Sequence, residues 1–220
     1  MFIGHFAFGF GAKKVAPEVS LGTLFLACQL ADLVWPVLVL LGIEVVEIKP
    51  GITVVTPLDF VSYPYSHSLF ALLALGAALA VAYRVFRHGR VQAGLVLCGL
   101  VLSHWLLDFL SHRPDLPIFL DNGSRFGLGL WNSLPATLAV ELGLFALGLA
   151  FYLSQTQAKC PKGDLLLWSL VAFLTAIYFA NLFGPPPPSA DAVAWSGIAM
   201  WLLVAWGYWI DRHRQPRLKA

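Results

Sequence analysis

Apolar residues in this chain come in long, nearly unbroken runs rather than in alternation or in narrow stripes. A helix rises ~1.5 Å per residue, so crossing ~30 Å of hydrocarbon takes roughly 20 residues. Six runs qualify: residues 21–43, 67–86, 91–111, 128–153, 165–183 and 192–210. They predict an all-α fold, a polytopic membrane helix bundle of about six transmembrane helices. Residues 1–11 are apolar but too short to span, and they predict a short N-terminal interfacial or re-entrant helix. Gly4, Gly9 and Gly11 allow that segment to bend and to pack closely. Lys13 and Lys14 follow the apolar stretch, the reverse of the order in a cleaved signal peptide, so the segment is expected to be retained. Repeats at a fixed period and a separate soluble domain are both lacking, and residues 1–220 read as one membrane domain.

Composition agrees with the pattern. Hydrophobic residues make up 59% of the chain and charged ones 12%, with a mean hydropathy of +0.76, whereas soluble domains carry about 25% charged residues. The net charge of +2 gives no reason to expect a nucleic-acid partner; the expected surroundings are the lipid bilayer and possible membrane protein partners. The basic residues are distributed unevenly. With the N-terminus inside, the inner segments hold Lys13, Lys14, Arg84, Arg87, Arg90, Lys159, Lys162, Arg212, Arg214, Arg217 and Lys219. The outer loops hold Lys49, Arg113 and Arg125. Positive charge gathers on the cytoplasmic side, so both termini are expected there, with an even number of spans between them. Trp168, Trp195, Trp206, Tyr208 and Trp209 read as interfacial anchors. Cys28, Cys98 and Cys160 have no paired spacing and imply no disulfide framework. Among the outer loops, 184–191 contains four consecutive prolines, a stiff connector, and 44–66 contains a short extended segment at 52–55.

Ionisable residues inside such runs are costly and mark function or a specific polar contact. His104 and Asp108 are four apart and share a helix face, with His112 one turn further out. Asp32 sits near the middle of the first run, and His67 opens the second behind Pro64. These groups can converge in the outer half of the membrane. Imidazole and carboxylate together suit a divalent ion such as zinc, manganese or iron, which would neutralise Asp32 and Asp108. The plainer alternative is a hydrogen-bonded network that fixes helix packing. Ser66, Ser68 and Ser103 flank the histidines as candidate hydrogen-bond partners, and Gln29 lies one turn from Asp32. His5 reaches the cluster only if residues 2–11 dip into the membrane. In the fourth run, Asn132 is placed to touch the site, whereas Glu141 is turned ~180° from it and is expected to pair with another helix. His88 and His213 lie in Arg-rich inner segments and read as solvated.

In the order His5, Asp32, Ser66-His67-Ser68, then Ser103-His104 with Asp108, the chain resembles the YdjM-like family of bacterial inner-membrane proteins, predicted metal-dependent hydrolases. The resemblance covers residues 1–130; residues 131–220 add further transmembrane helices. It implies a bacterial inner-membrane protein that binds a divalent metal, zinc or manganese, through His5, Asp32, His67, His104 and Asp108, with Asp32 and Asp108 as catalytic carboxylates. Members carry a second Asp and a His soon after the first Asp, where this chain has Val34 and Trp35. Before Ser66 a His-Arg-Gly-like stretch is replaced by Ser62-Tyr63-Pro64-Tyr65. These departures imply one metal rather than two. The resulting expectation is a membrane-embedded metal-dependent hydrolase acting on a lipid-linked or amphipathic substrate. The alternatives are a non-catalytic structural or accessory subunit of a membrane complex and, ranked last, a proton-coupled carrier.

Overall fold

Helices long and apolar enough to cross a membrane dominate the computed structural model, which describes residues 1–88, 90–121 and 123–217. Lys219, counted above among the inner basic residues, lies outside the described residues. A short α1 (Ile3–Gly11) leads into α2 (Leu21–Cys28) and α3 (Leu30–Leu40). After a hairpin, β1 (Val45–Ile48) and β2 (Leu58–Ser62), come the one-turn α4 (Pro64–His67), α5 (Leu69–Arg87) and α6 (Val91–Ser111). Then follow α7 (Leu134–Gln155), α8 (Pro161–Phe183), α9 (Ala190–Ala199) and α10 (Trp201–His213). Five spans are α5, α6, α7, α8 and α9–α10 together, and the bent pair α2–α3 makes the sixth. The protein is a polytopic membrane helix bundle.

The helix starts are written in serine. Ser20, Ser68, Ser133 and Ser189 each accept a hydrogen bond from a backbone N–H in the first turn of the helix that follows. Each such cap contributes about 1 kcal/mol and fixes where the chain turns into a helix. Two spans therefore begin later than their apolar runs do. Ser68 has an extended backbone (ψ 150°), so His67 belongs to α4 and the span starts at Leu69. Residues 130–132 form a 3-10 turn, and Ser133 with the following Pro135 starts α7 at Leu134 rather than at 128. Residues 52–55 are bends in the loop of the hairpin; the extended segments lie on either side of them.

The first span is broken. Helices α2 and α3 meet at Gln29 with a 56° bend. Helix α1 does dip into the bundle, lying along α7. Contact is close because Gly148 has no side chain: a Cβ there would run into the backbone of Ala7. Phe10 anchors α1 by edge-on contacts with Phe25 and Tyr152, ring centres 5.0 and 5.3 Å apart.

The two ends of the bundle differ in their charge. At one end Lys13 pairs with Asp211 at 3.5 Å, Lys14 lies 4.5 Å over the Phe151 ring, and Arg214 pairs with Asp164 at 2.5 Å. A short ladder of β3 (Thr156–Ala158) with β4 (Arg214–Pro216) ties the α7–α8 connection to the end of α10. At the other end Asp59 binds both Lys49 and Arg113, and Arg113 also reaches Asp115. His88 is exposed, as expected, and ends α5 in the left-handed region (φ 49°).

Candidate metal centre

The four-residue spacing on α6 works as the sequence predicts. His104 and Asp108 lie on one face, with His104 Nε2 3.2 Å from Asp108 Oδ2. From α3, Asp32 Oδ1 approaches to 3.7 Å from the same imidazole nitrogen. From α4, His67 Nε2 stands 3.4 Å from Asp32 Oδ1 and 3.9 Å from Asp108 Oδ2. From α1, His5 Nε2 meets Asp108 Oδ1 at 3.1 Å, and its ring stacks on that of His104 with centres 3.7 Å apart. All five predicted residues thus meet. They form two overlapping groups, His5–His104–Asp108 and Asp32–His67–His104, each with ligand atoms within 4.8 Å of one another. His5 joins because α1 is re-entrant, and the same fold sets the backbone nitrogen of Met1 2.6 Å from Asp108 Oδ1.

The environment of each ring decides which nitrogen carries its proton. His104 Nδ1 lies 2.9 Å from the carbonyl oxygen of Cys28, which can only accept, so Nδ1 carries a hydrogen and, in the neutral imidazole, Nε2 presents the lone pair. His67 Nδ1 lies 2.7 Å from Ser66 Oγ. The Ser66 hydroxyl hydrogen is directed to Glu44 Oε2 at 2.5 Å, so the imidazole must be the donor to Ser66, and Nε2 again presents a lone pair. Glu44 is buried and held in turn by the backbone N–H groups of Tyr65 and Ser66 at 2.8 and 2.9 Å. His112 repeats the arrangement: Nδ1 is 2.9 Å from Asp115 Oδ1, and Nε2 faces Asp108 Oδ1 at 3.8 Å. Tyr63 donates to the same Asp115 oxygen at 3.0 Å, and burial, reinforced by Asp115, raises its phenol well above the ordinary tyrosine range, so it stays a donor. Orientation of metal-binding imidazoles through the second nitrogen is a general feature of such sites.

The donor set fits a divalent metal. His104 Nε2 is buried, with no hydrogen-bond partner, although two carboxylates stand within 4 Å. Asp108 Oδ1 is taken by Met1 N and His5, but Asp108 Oδ2 and Asp32 Oδ1 face the Nε2 atoms of His67 and His104, an arrangement that a cation at the centre would stabilise. Asp32 is the open member: its side chain is 25% exposed, against 2% for Asp108. It faces a cavity of about 1050 Å³ whose lining includes Asp32, His67, Asp108 and His112.

Several neighbours are not where the sequence pointed. Asn132 is exposed; its neighbour Trp131 covers the site instead, its ring 4.3 Å from that of His112. Glu141 does pair with another element, as expected, accepting from the N–H groups of Phe2 and Gly4 at 2.9 and 3.3 Å at the start of α1. Of the three flanking serines, Ser66 alone supports a histidine; Ser68 caps α5 and Ser103 bonds the Leu100 carbonyl of its own helix. Gln29 does not pair with Asp32, and its amide has no partner among the described residues. Glu44 and Asp115 carry no signal in the sequence beyond their position in outer loops. No family model, no curated protein and no solved structure matches the chain.

Proposed function

We propose that the protein is a membrane-embedded metal-dependent hydrolase acting on a lipid-linked or amphipathic substrate. The observation that carries this reading is the unpartnered, buried lone pair of His104 Nε2 between two carboxylates, with His67 aimed at the same point. Asp32, His67, His104 and Asp108 would hold one divalent ion, zinc or manganese, with His5 beside them as a further ligand. Such an ion supplies a Lewis acid for an ester or phosphoester oxygen and makes water a competent nucleophile near neutral pH. Asp32, the carboxylate that opens to the cavity, takes the proton from the attacking water; Asp108, enclosed by histidines, holds them in place. His67 and His104 keep their donor nitrogens turned outward to Ser66 and Cys28, so their lone pairs stay inward throughout. The resemblance to bacterial inner-membrane predicted hydrolases supports this assignment and that location. By the positive-inside rule the end bearing Lys13, Lys14 and Arg214 is the cytoplasmic one, and the cluster then lies toward the opposite face.

Metal content of the detergent-purified protein tests the reading directly. Wild type is expected to carry one equivalent of zinc or manganese by mass spectrometry, and His104→Ala and Asp108→Ala to carry none. A folded wild type that takes up no ion on reconstitution would turn the reading to a non-catalytic subunit whose cluster is a packing network.

A further inference from the structure

The cavity beside the cluster has two kinds of wall. Near Asp32, His67, Asp108 and His112 it is polar; away from them it runs between α8 and α9–α10, past Phe173, Ile177, Val193, Met200, Leu203 and Trp206. Its roof is the β1–β2 loop and the four prolines 185–188. Helix α8 packs on α10, whereas α9 packs on α3, and the cavity is lined from α8 on one side and α9–α10 on the other. At ~1.5 Å per residue Tyr178 lies ~8 Å below the outer end of α8, Asp108 ~5 Å below that of α6, and Trp206 ~24 Å below the start of α9. The groove is therefore elongated along the membrane normal, and its volume of about 1050 Å³ is at the top of the range for small-molecule pockets, roughly 300–1,000 Å³.

Two buried donors on its wall have no partner: the Tyr178 hydroxyl, on a residue 2% exposed, and the Trp35 indole N–H, on a residue 7% exposed. The Trp35 ring stands 6.4 Å from that of His67 and Tyr178 lines the same cavity, where an acceptor oxygen between a headgroup and a chain would satisfy them. The Trp206 N–H, deeper, is also unpartnered and gets no acceptor from a chain.

We infer that this groove seats the hydrocarbon chain of a membrane lipid that enters sideways between α8 and α9, its ester or phosphoester held at the cluster and its linkage oxygens at Tyr178 and Trp35. The assignment rests on the hydrolase reading for the fate of the head and deepens it by naming the substrate as a chain-bearing lipid of the bilayer rather than a soluble ester. It also gives α8, α9 and α10, which lie outside the region of family resemblance, a role at the site.

The test uses the whole protein in detergent with phosphatidylglycerol carrying a photoreactive diazirine in its acyl chain. After photolysis, peptide mapping is expected to place the label on residues 173–182 and 192–206. Ala180→Trp with Ala199→Trp fills the groove from positions exposed to it, and is expected to cut that label about tenfold while leaving metal content unchanged. Ser196→Trp, also on the groove wall, is the substitute if the double variant does not fold. The label is expected to survive in His104→Ala. Label spread evenly over the outer faces of α5 and α6, and indifferent to the filling variants, would overturn the inference. Selective label on a wild type that binds no metal would support the lipid groove and remove the hydrolase reading, so the two fail separately.

Discussion

Both ends of this bundle bury charged groups, but they treat them differently. At the basic end the Arg214 guanidinium is enclosed and its donors are used: to the Thr156 hydroxyl and carbonyl at 3.3 Å each, and to Asp164. Lys13 is similarly engaged, donating to the Val19 carbonyl at 2.6 Å with Asp211 nearby. That end pins α1, α7, α8 and α10 together. At the cluster end the outward nitrogens of His67, His104 and His112 are all bonded, whereas the inward Nε2 of His104 has no partner and those of His67 and His112 face carboxylates at 3.4 and 3.8 Å. A buried network that only fixes packing satisfies its members, as the basic end does. One that leaves matched lone pairs converging is built around something else.

The sharpest way to break the contrast is a pair of substitutions. Asp108→Asn keeps the shape but removes the charge around which His5, His67, His104 and His112 are arranged, and should abolish metal binding outright. Arg214→Met should do the reverse, retaining the full metal content while lowering thermal stability; losing the charged hydrogen bonds to Thr156 costs about 1.5–3 kcal/mol. If Arg214→Met emptied the site as well, the two ends would be one cooperative unit and the distinction drawn here would fail. Glu44→Gln comes next. It replaces the acceptor that takes the Ser66 proton, freeing His67 to flip its tautomer, and should weaken metal affinity by roughly 10–100-fold. A competition titration with a chelator reads that change, and Ser66→Ala should match it. Tyr63→Phe is the mildest. Asp115 keeps its bonds to His112 and Arg113, so affinity should fall by a factor of a few at most, about 0.5–1 kcal/mol. A loss as large as that of Glu44→Gln would mean that His112 is a full ligand.

Legibility from the sequence followed the range of the interactions. The spans could be read because crossing hydrocarbon imposes a length and an apolar composition on each segment by itself. His104 and Asp108 could be read together because helix periodicity alone joins them. Asp32 was suspect because it interrupts an apolar run, and His67 because it opens one. His5 was legible only conditionally, since a short apolar stretch, residues 1–11, ahead of two lysines fits an interfacial helix as well as one that dips; what decides is the fit of Ala7 against Gly148, far away in sequence. Glu44 could not be found at all. Its role needs the first hairpin folded back so that a residue after α3 meets the N–H groups of α4. The starts of two spans were missed for a local reason: hydropathy does not register a serine cap, whereas the backbone obeys it. The groove was invisible because a void has no residues of its own.

The bend at Gln29 has a consequence for the chemistry of His104. In a continuous helix the carbonyl of Cys28 would be committed to the N–H one turn ahead; across the break it receives the imidazole instead. The tautomer of His104, and with it the direction of its lone pair, is thus a property of the shape of a neighbouring helix. A kink that would pass for a flaw in a membrane span is therefore what holds one imidazole in register with the cluster.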